Sequence, residues 1–167
     1  DEARQELAAI PNVDAIGARA TYSTRALVGD RRIPALLVGV EDFARQPIDV
    51  VRVMSGAIPT DERVLADDGN AAAVDVGLAA GDSVRLVAAD GSDAVLEVSG
   101  EAHSLAFWQG PWEHPKQLVL YASNDMVRAL SGASGVDSLA VRLIDTAPGE
   151  VDATVERLQA WLDAKVG

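Results

Sequence analysis

Apolar side chains recur through the first part of the chain in a pattern typical of two strands. Residues 15–28 alternate small or apolar residues with polar ones, which predicts a half-buried strand. Gly29 and Asp30 then turn the chain, and residues 33–40 return as a second, more apolar strand. Because proline cannot donate a hydrogen bond to a neighbouring strand, Pro34 indicates that this second strand begins at a sheet edge. The two segments are predicted to form a hairpin.

Helical spacing of apolar residues marks both ends of the chain. Residues 2–10 form a short amphipathic pattern that Pro11 ends. A last helix is predicted to open at Pro148 and Glu150, because apolar residues recur after them at helical spacing. This apolar row consists of Val151, Val155, Leu158 and Leu162. Trp161 lies off the row, where it could equally meet a partner or lie along the membrane-proximal flank of the domain.

The middle of the chain is predicted to be rich in short strands. A strand at residues 64–66 precedes a helix at residues 71–76, which Asn70 caps and Gly77 ends in the left-handed conformation. Two further strands, at residues 83–87 and 94–98, are then joined as a hairpin. The dipeptide Asp90 and Gly91 predicts a two-residue turn there, with positive φ at both residues.

The last third is predicted to alternate strand, helix, strand and helix. Residues 117–122 form the first strand, and Ser123 caps a helix that Gly132 ends. The buried face of this helix consists of Met126, Val127 and Leu130. Residues 138–144 form the next strand, ahead of the last helix. With the opening hairpin, this order predicts an α+β fold in which helices cover an open sheet.

Composition excludes several classes of protein. The 167 residues carry a formal net charge of −12, which argues against binding to nucleic acid and disfavours an anionic lipid surface. The absence of cysteine excludes disulfides, thiolate metal sites and thiol nucleophiles. No stretch of the given sequence approaches the roughly 20 apolar residues that cross a bilayer. Its first residues lack the basic and then apolar pattern of a signal peptide. Since the chain begins at Asp1 rather than Met, we expect a processed or excised segment.

Motifs for catalysis or cofactor binding are absent from the sequence. There is no phosphate-binding glycine loop, and Ser134 lies in a loop without the spacing of a nucleophile elbow. His103 and His114 have acidic neighbours but lack metal-ligand spacing, so structural or solvent-facing roles are favoured. Residues 67–70 resemble the start of a calcium loop and are better explained as a turn into a helix. We therefore predict no catalytic residues, no metal, no cofactor and no enzyme activity.

Residues 105–112 gather aromatic side chains beside glycine and proline. Phe107, Trp108 and Trp112 form a candidate protein-binding tip, because Trp and Phe are frequent anchors of interfaces. Alternatively, these rings fill the interior where the chain enters and leaves a middle lobe. We favour the interior role, since such connections need apolar anchoring.

The order of these motifs resembles the extracytoplasmic domain of MacB/FtsX-like ABC transporter permeases. Residues 78–86 match the pattern Leu-x-x-Gly-Asp-x-Val-x-Leu of that family, and residues 98–100 match its Val-x-Gly. Residues 35–43 are similar to its strand end, and residues 120–125 to its step from strand to helix after a Gly-Pro pair. The match departs at Ala57, where the family often has Arg after the glycine of its turn. The likeness covers nearly the whole chain.

The resemblance implies a two-part fold. Residues 1–48 and 116–167 correspond to a porter-like βαβ-type lobe, and residues 49–115 to a small inserted β-rich lobe. Proline-containing joints near residues 46–48 and 110–115 agree with these borders. In this family the domain lies outside the membrane between the first and second membrane helices. We therefore expect both ends of the chain to lie close together on one face, each in a helix.

The resemblance also implies partners and a localisation at the outer side of the cell membrane. They are the chain's own flanking membrane helices, a separate cytoplasmic ATPase subunit, a second permease chain and an envelope protein. The role would be to transmit ATP-driven motion to export or to a partner, and the substrate is left open. Two alternatives remain. One is a free secreted or periplasmic protein that binds a small ligand near Trp108 and Trp112. The other is a small hydrolase that uses His103.

Overall fold

The computed structural model describes residues 2–60, 62–107 and 116–166. Its strands are β1 (Val13–Arg19), β2 (Thr21–Val28), β3 (Arg31–Val40), β4 (Arg52–Gly56), β5 (Arg63–Asp67), β6 (Ser83–Val87), β7 (Asp93–His103), β8 (Leu118–Ser123) and β9 (Ser138–Leu143). Its helices are α1 (Glu2–Ala8), α2 (Asp68–Ala73), α3 (Asn124–Ser131) and α4 (Pro148–Val166). In these ranges, no helix combines the length and apolar character needed to cross a membrane. The predicted α+β class is confirmed.

Seven strands form the main sheet, in the order β4-β7-β5-β8-β3-β2-β6. The long strand β7 also pairs with β6 through its first residues, and this closes six of the strands into a ring. The predicted hairpins, β2 with β3 and β6 with β7, are both present. The sheet therefore contains strands from residues 1–48 and 116–167 and also from residues 49–115. The division of the chain into lobes at these borders stays a prediction.

Both faces of the central strands are buried. Successive residues of a strand point to opposite faces, so β3 and β8 supply two separate cores. Leu37 and Leu120 pack with Val127 of α3 in the first core, whereas Val38 and Tyr121 belong to the second. This double burial explains why residues 35–40 and 118–122 are almost continuously apolar.

Several local predictions are confirmed at single residues. The pairing of β3 with β8 begins at Ala35, so Pro34 lies beside β2 alone. Ser123 caps α3, because its side chain accepts a hydrogen bond from the Met126 backbone N–H at 3.2 Å. Gly132 ends α3 with a φ of 70°, in the left-handed region.

Residues 15–28 were predicted to be one strand, and this prediction is wrong. The segment breaks at Ala20: β1 pairs with β9 in a separate two-stranded sheet, and β2 pairs with β3. Asn124 of α3 holds the break, since its side-chain amide accepts a hydrogen bond from the Ala20 N–H and donates one to the Ala18 carbonyl. The Ala20 carbonyl accepts a hydrogen bond from Gly39 at 2.8 Å. A side chain more than a hundred positions away thus divides a continuous alternating pattern.

The predicted limits of α2 are also wrong. Its N-cap is Asp67, whose side chain accepts a hydrogen bond from the Asn70 N–H at 2.9 Å, so Asn70 lies inside the helix. The helix ends at Ala73, and Asp75 takes the left-handed φ of 54° that was expected of Gly77. The early end lets the buried side chain of Val76 reach the core.

The turn between β6 and β7 is longer than predicted. It spans residues 88–92, and Gly91 has a positive φ of 84° whereas Asp90 does not. The Asp90 side chain instead accepts a hydrogen bond from the Ser92 N–H at 2.8 Å. This local contact stabilises a wider loop. Hydrogen bonds from the Ser92 side chain and from its backbone N–H lower the pKa of Asp90.

The apolar row predicted for α4 matches its packing face only in part. Val151 and Leu158 are half-buried, but Val155 is 56% and Leu162 is 40% exposed. Among residues 148–165 of the helix, the fully buried one is Thr154, whose hydroxyl donates to the Glu150 carbonyl. The buried side of α4 thus includes a polar side chain, and hydrophobic spacing does not predict the burial of such a residue.

Candidate functional site

The first and last helices lie side by side, and we call α1 and α4 together the terminal helix pair. Trp161 donates a hydrogen bond from its indole nitrogen to Glu6 Oε2 at 2.8 Å, and Lys165 Nζ donates to Glu6 Oε1 at 2.9 Å. Trp161, predicted to lie off the packing row, is therefore a main contact between the helices. These bonds lower the pKa of Glu6, with Lys165 as the larger cause.

The terminal helix pair is antiparallel, so the start of α1 lies near the end of α4. Glu6 follows the start of α1 by one turn, and Lys165 precedes the end of α4 by one residue. The hydrogen bond to Glu6 raises the pKa of Lys165, and the charge of Glu2 adds to this effect. Glu6 of α1 therefore lies beside the last turn of α4, and Asn12, which follows α1, contacts Thr154 earlier in α4, so the two helices run in opposite directions.

Polar contacts of Arg4 and Asn12 help to attach the terminal helix pair to the rest of the fold. Arg4 donates from Nη1 to both carboxylate oxygens of Glu41, at 2.6 and 2.8 Å, just beyond the end of β3. Asn12, which follows α1, donates to Thr154 Oγ1 at 3.0 Å and accepts from the Asp145 N–H at 2.7 Å. Asn12 adopts a left-handed φ of 72° to reach both partners. Arg4 thus links α1 to the end of β3, and Asn12 links the segment after α1 to α4 and to the segment before it.

A second group of contacts joins distant segments inside the molecule, and we call it the buried joint: Arg19, Phe107, Tyr121 and Asp67. Arg19 is 6% exposed and donates to the carbonyls of Gly39, Ile48 and Asp49. Burial lowers the pKa of Arg19, and the charge of Asp49 opposes this effect. The guanidinium lies 5.3 Å from the centre of the Phe107 ring, a cation–π distance.

The buried joint continues from Phe107 to Asp67. The rings of Phe107 and Tyr121 meet edge to face with centres 6.1 Å apart. Tyr121 then donates from its hydroxyl to Asp67 Oδ2 at 2.7 Å. Burial raises the pKa of Tyr121, and the nearby charge of Asp67 raises it further. The tyrosine is therefore a neutral donor that fixes a buried carboxylate.

The aromatic residues predicted as a binding tip divide between described and undescribed parts of the chain. Phe107 packs against the second core, and its carbonyl accepts a hydrogen bond from Asn70 Nδ2 at 2.9 Å, in agreement with an interior role. Trp108, Trp112 and His114 lie outside the described residues. Partner binding by the three aromatic residues therefore stays a prediction.

His103 and residues 67–70 were considered separately in the sequence, and the fold brings them together. His103 Nδ1 lies 2.8 Å from Asp68 Oδ1, and Asp67 joins them in a group whose ligand atoms all lie within 4.8 Å of one another. The pairing of β5 with β7 creates this group, because Asp67 lies opposite Ala102. Nothing in the spacing of the residues indicated it.

Sequence reasoning also missed Arg19 and Tyr121. Arg19 occupies a polar position of an alternating pattern, which normally indicates a solvent-exposed side chain. A signal for Asp67 did exist, since Asp is a preferred helix N-cap residue. Ser134 is exposed in the loop after α3, where it was expected.

An open groove of about 630 Å³ lies along β4, the outermost strand of the main sheet. Its wall includes Val50, Met54 and Leu105, and Leu105 is 82% exposed. Ligand-binding proteins usually enclose most of their ligand in a concave pocket. The exposure of these side chains makes the groove an open surface feature rather than a closed pocket. The pocket predicted near Trp108 and Trp112 lies outside the described residues.

No protein-family model matches the chain, and no curated protein matches it in sequence. Its fold is similar to three solved structures. One is the extracellular domain of the noncanonic ABC-type transporter YknZ from Gram-positive bacteria, with a TM-score of 0.59 and 15% identity. The similarity covers 92% of this chain and 76% of that one.

The second is the periplasmic region of MacB from Actinobacillus actinomycetemcomitans, with a TM-score of 0.59, 14% identity and coverage of 95% and 72%. The third is a domain of a putative permease protein from Porphyromonas gingivalis, with a TM-score of 0.51, 20% identity and coverage of 95% and 74%. At these identities the similarity establishes the fold. The fold implied by the resemblance to MacB/FtsX-like permeases is confirmed.

Proposed function

We propose that the chain is a non-catalytic extracytoplasmic domain of an ABC transporter permease. The observation that carries this proposal is the terminal helix pair, in which the start of α1 lies near the end of α4. In a domain inserted between two membrane helices, the chain enters from one membrane helix and leaves into the other at the same membrane surface. Ends at opposite poles of the molecule would prevent this. The fold likeness to domains described as extracellular or periplasmic supports the same localisation.

Motion of the membrane helices enters such a domain through α1 and α4. The contacts of Glu6 couple the two helices, so a displacement of one is transmitted to the other. Arg4 passes the displacement to Glu41, and Asn12 passes it to the connection before α4. Because close-packed cores deform little, the main sheet then moves largely as a unit. This movement would act on an exported substrate or on an envelope partner.

ATP hydrolysis would take place on another part of the transporter. The chain has no phosphate-binding loop, so a separate cytoplasmic ATPase subunit would hydrolyse ATP. A second permease chain would complete the membrane unit.

The sequence of the full coding region tests this function directly. We expect an apolar segment of about 20 residues on each side of the chain, the length that crosses a bilayer. We also expect a tagged full-length protein to purify from membranes together with an ATPase subunit. A cleaved signal peptide before residue 1 and a stop codon after residue 167 would contradict the proposal and favour the free exported ligand-binding protein.

A further inference from the structure

Three potential metal ligands meet where β5 passes into α2. Asp67 ends β5, Asp68 begins α2 and His103 ends the neighbouring strand β7. Their ligand atoms lie within 4.8 Å of one another, and His103 Nδ1 is 2.8 Å from Asp68 Oδ1. Two strands in one sheet and the start of a helix therefore fix the positions of all three residues.

The Asp67 carboxylate is fully buried and already oriented. Its Oδ1 accepts hydrogen bonds from the Asn70 backbone N–H and from Asn70 Nδ2, both at 2.9 Å. Its Oδ2 accepts the hydroxyl of Tyr121 at 2.7 Å. Over the residues that the structure describes, no ion pair within 4.0 Å includes this carboxylate. Buried charges in proteins are normally paired with an opposite charge or coordinate a metal.

We propose that Asp67, Asp68 and His103 bind a divalent transition-metal ion, with Zn²⁺ as the ion that fits best. Imidazole nitrogen and carboxylate oxygen are both donors that Zn²⁺ accepts, whereas Mg²⁺ and Ca²⁺ sites use oxygen ligands, so the imidazole of His103 favours a transition metal. Tetrahedral Zn²⁺ with ligands at about 2.0–2.1 Å places them about 3.3 Å apart. The side chains of Asp68 and His103 are 43% and 35% exposed, so they can rotate to this spacing and leave the fourth position to water.

The supporting contacts of Asp67 match those of known metal sites. Residues that hydrogen-bond to metal ligands orient them, and their loss typically weakens metal binding about 10–100-fold. Tyr121 and Asn70 have this position relative to Asp67. Asn70 also donates to the Phe107 carbonyl, so a bound ion would brace the segment after β7 against α2. This proposal is independent of the transporter function.

Titration calorimetry of the metal-free 167-residue chain with Zn²⁺ tests the site. We expect one ion per chain, at least a 10-fold loss of affinity in His103→Ala and in Asp68→Asn, and a 10–100-fold loss in Tyr121→Phe. Both ligand variants alter partly exposed side chains, so the fold is retained, and circular dichroism checks this. His114→Ala is the matched control, because the chain has two histidines, and it should bind Zn²⁺ like the wild type.

Three results would overturn the site. They are the absence of saturable Zn²⁺ binding, an affinity that His103→Ala leaves unchanged, and tighter binding of Mg²⁺ or Ca²⁺ than of Zn²⁺. Thermal unfolding provides a second readout. Zn²⁺ should raise the melting temperature of the wild type and of His114→Ala but not of His103→Ala, because a ligand stabilises only the form that binds it.

Discussion

At the scale of single residues, the polar side chains inside this protein are positioned by partners far away in the sequence. Tyr121 and Asp67 are both fully buried, and the hydroxyl of one donates to the carboxylate of the other. The edge-to-face contact of the Tyr121 and Phe107 rings extends this network toward the guanidinium of Arg19. Removing a donor from such a network leaves a buried acceptor without its partner.

Tyr121→Phe should destabilise the chain by about 1–3 kcal/mol, because Asp67 Oδ2 loses its hydrogen bond while remaining buried. The matched control is Tyr22→Phe, whose hydroxyl donates to the Val87 carbonyl at the surface and should cost less than about 0.5 kcal/mol. Urea unfolding of both variants measures the difference. Equal effects at the two positions would mean that the buried hydrogen bond contributes no more than the exposed one.

At the scale of elements, two contacts determine how helices and strands are connected. Asn124 of α3 separates β1 from β2 and thereby creates the small sheet of β1 and β9. Glu6 of α1 accepts hydrogen bonds from two residues of α4 and so forms the terminal helix pair. Both depend on a single polar side chain, and each can be tested by one substitution.

Asn124→Ala should lower the free energy of unfolding by about 1–3 kcal/mol, since the buried Ala20 N–H would lose its acceptor. Hydrogen exchange at the Ala20 amide should become faster than at the centre of β3. Asp125→Ala, at the neighbouring exposed position, is the control, and loss of its surface ion pair with Arg128 should cost less than about 1 kcal/mol. Unchanged exchange at Ala20 would exclude Asn124 as the residue that holds the strand break.

The contribution of Glu6 should depend on pH in a defined direction. Its pKa in the folded chain lies below the ordinary value of 4.5, so its stabilising contribution is present above pH 4.5 and is lost as the pH falls through the lower folded value. The wild type should therefore be more stable than Glu6→Gln at pH 7, and the difference should shrink below pH 4.5. Thermal unfolding across this range measures it. Glu156→Gln, on the exposed side of α4, is the control for loss of a carboxylate charge from the same helix.

At the scale of the whole molecule, the terminal helix pair is the place where the proposed function meets the fold. The start of α1 lies near the end of α4. Arg4 connects the pair to the main sheet, and Asn12 connects it to the segment after β9. A domain that transmits motion needs this pair to move as one body. If the helices separated, displacement of the membrane helices would be lost before it reached the sheet.

Spin labels on the two helices test this coupling in the assembled transporter. The 167 residues contain no cysteine, so Glu2→Cys and Ala164→Cys accept labels specifically once any cysteines elsewhere in the transporter have been replaced by serine. Nitroxides at these positions should show dipolar broadening both before and after ATP is added, because α1 and α4 stay together. Chains labelled at Ala164→Cys alone provide the reference spectrum. Loss of the broadening on ATP addition would contradict transmission through a coupled pair.

Local sequence patterns predicted the α+β class, the order of most strands and helices, and the caps Ser123 and Gly132. These features depend on periodicity and on residues a few positions apart, so they can be predicted before the fold is known. The break at Ala20, the packing face of α4 with Trp161, and the meeting of Asp67 with His103 became visible in the folded chain alone. Each depends on partners that lie far apart in the sequence and become neighbours when the sheet forms, and hydrophobic spacing contains no information about such pairs.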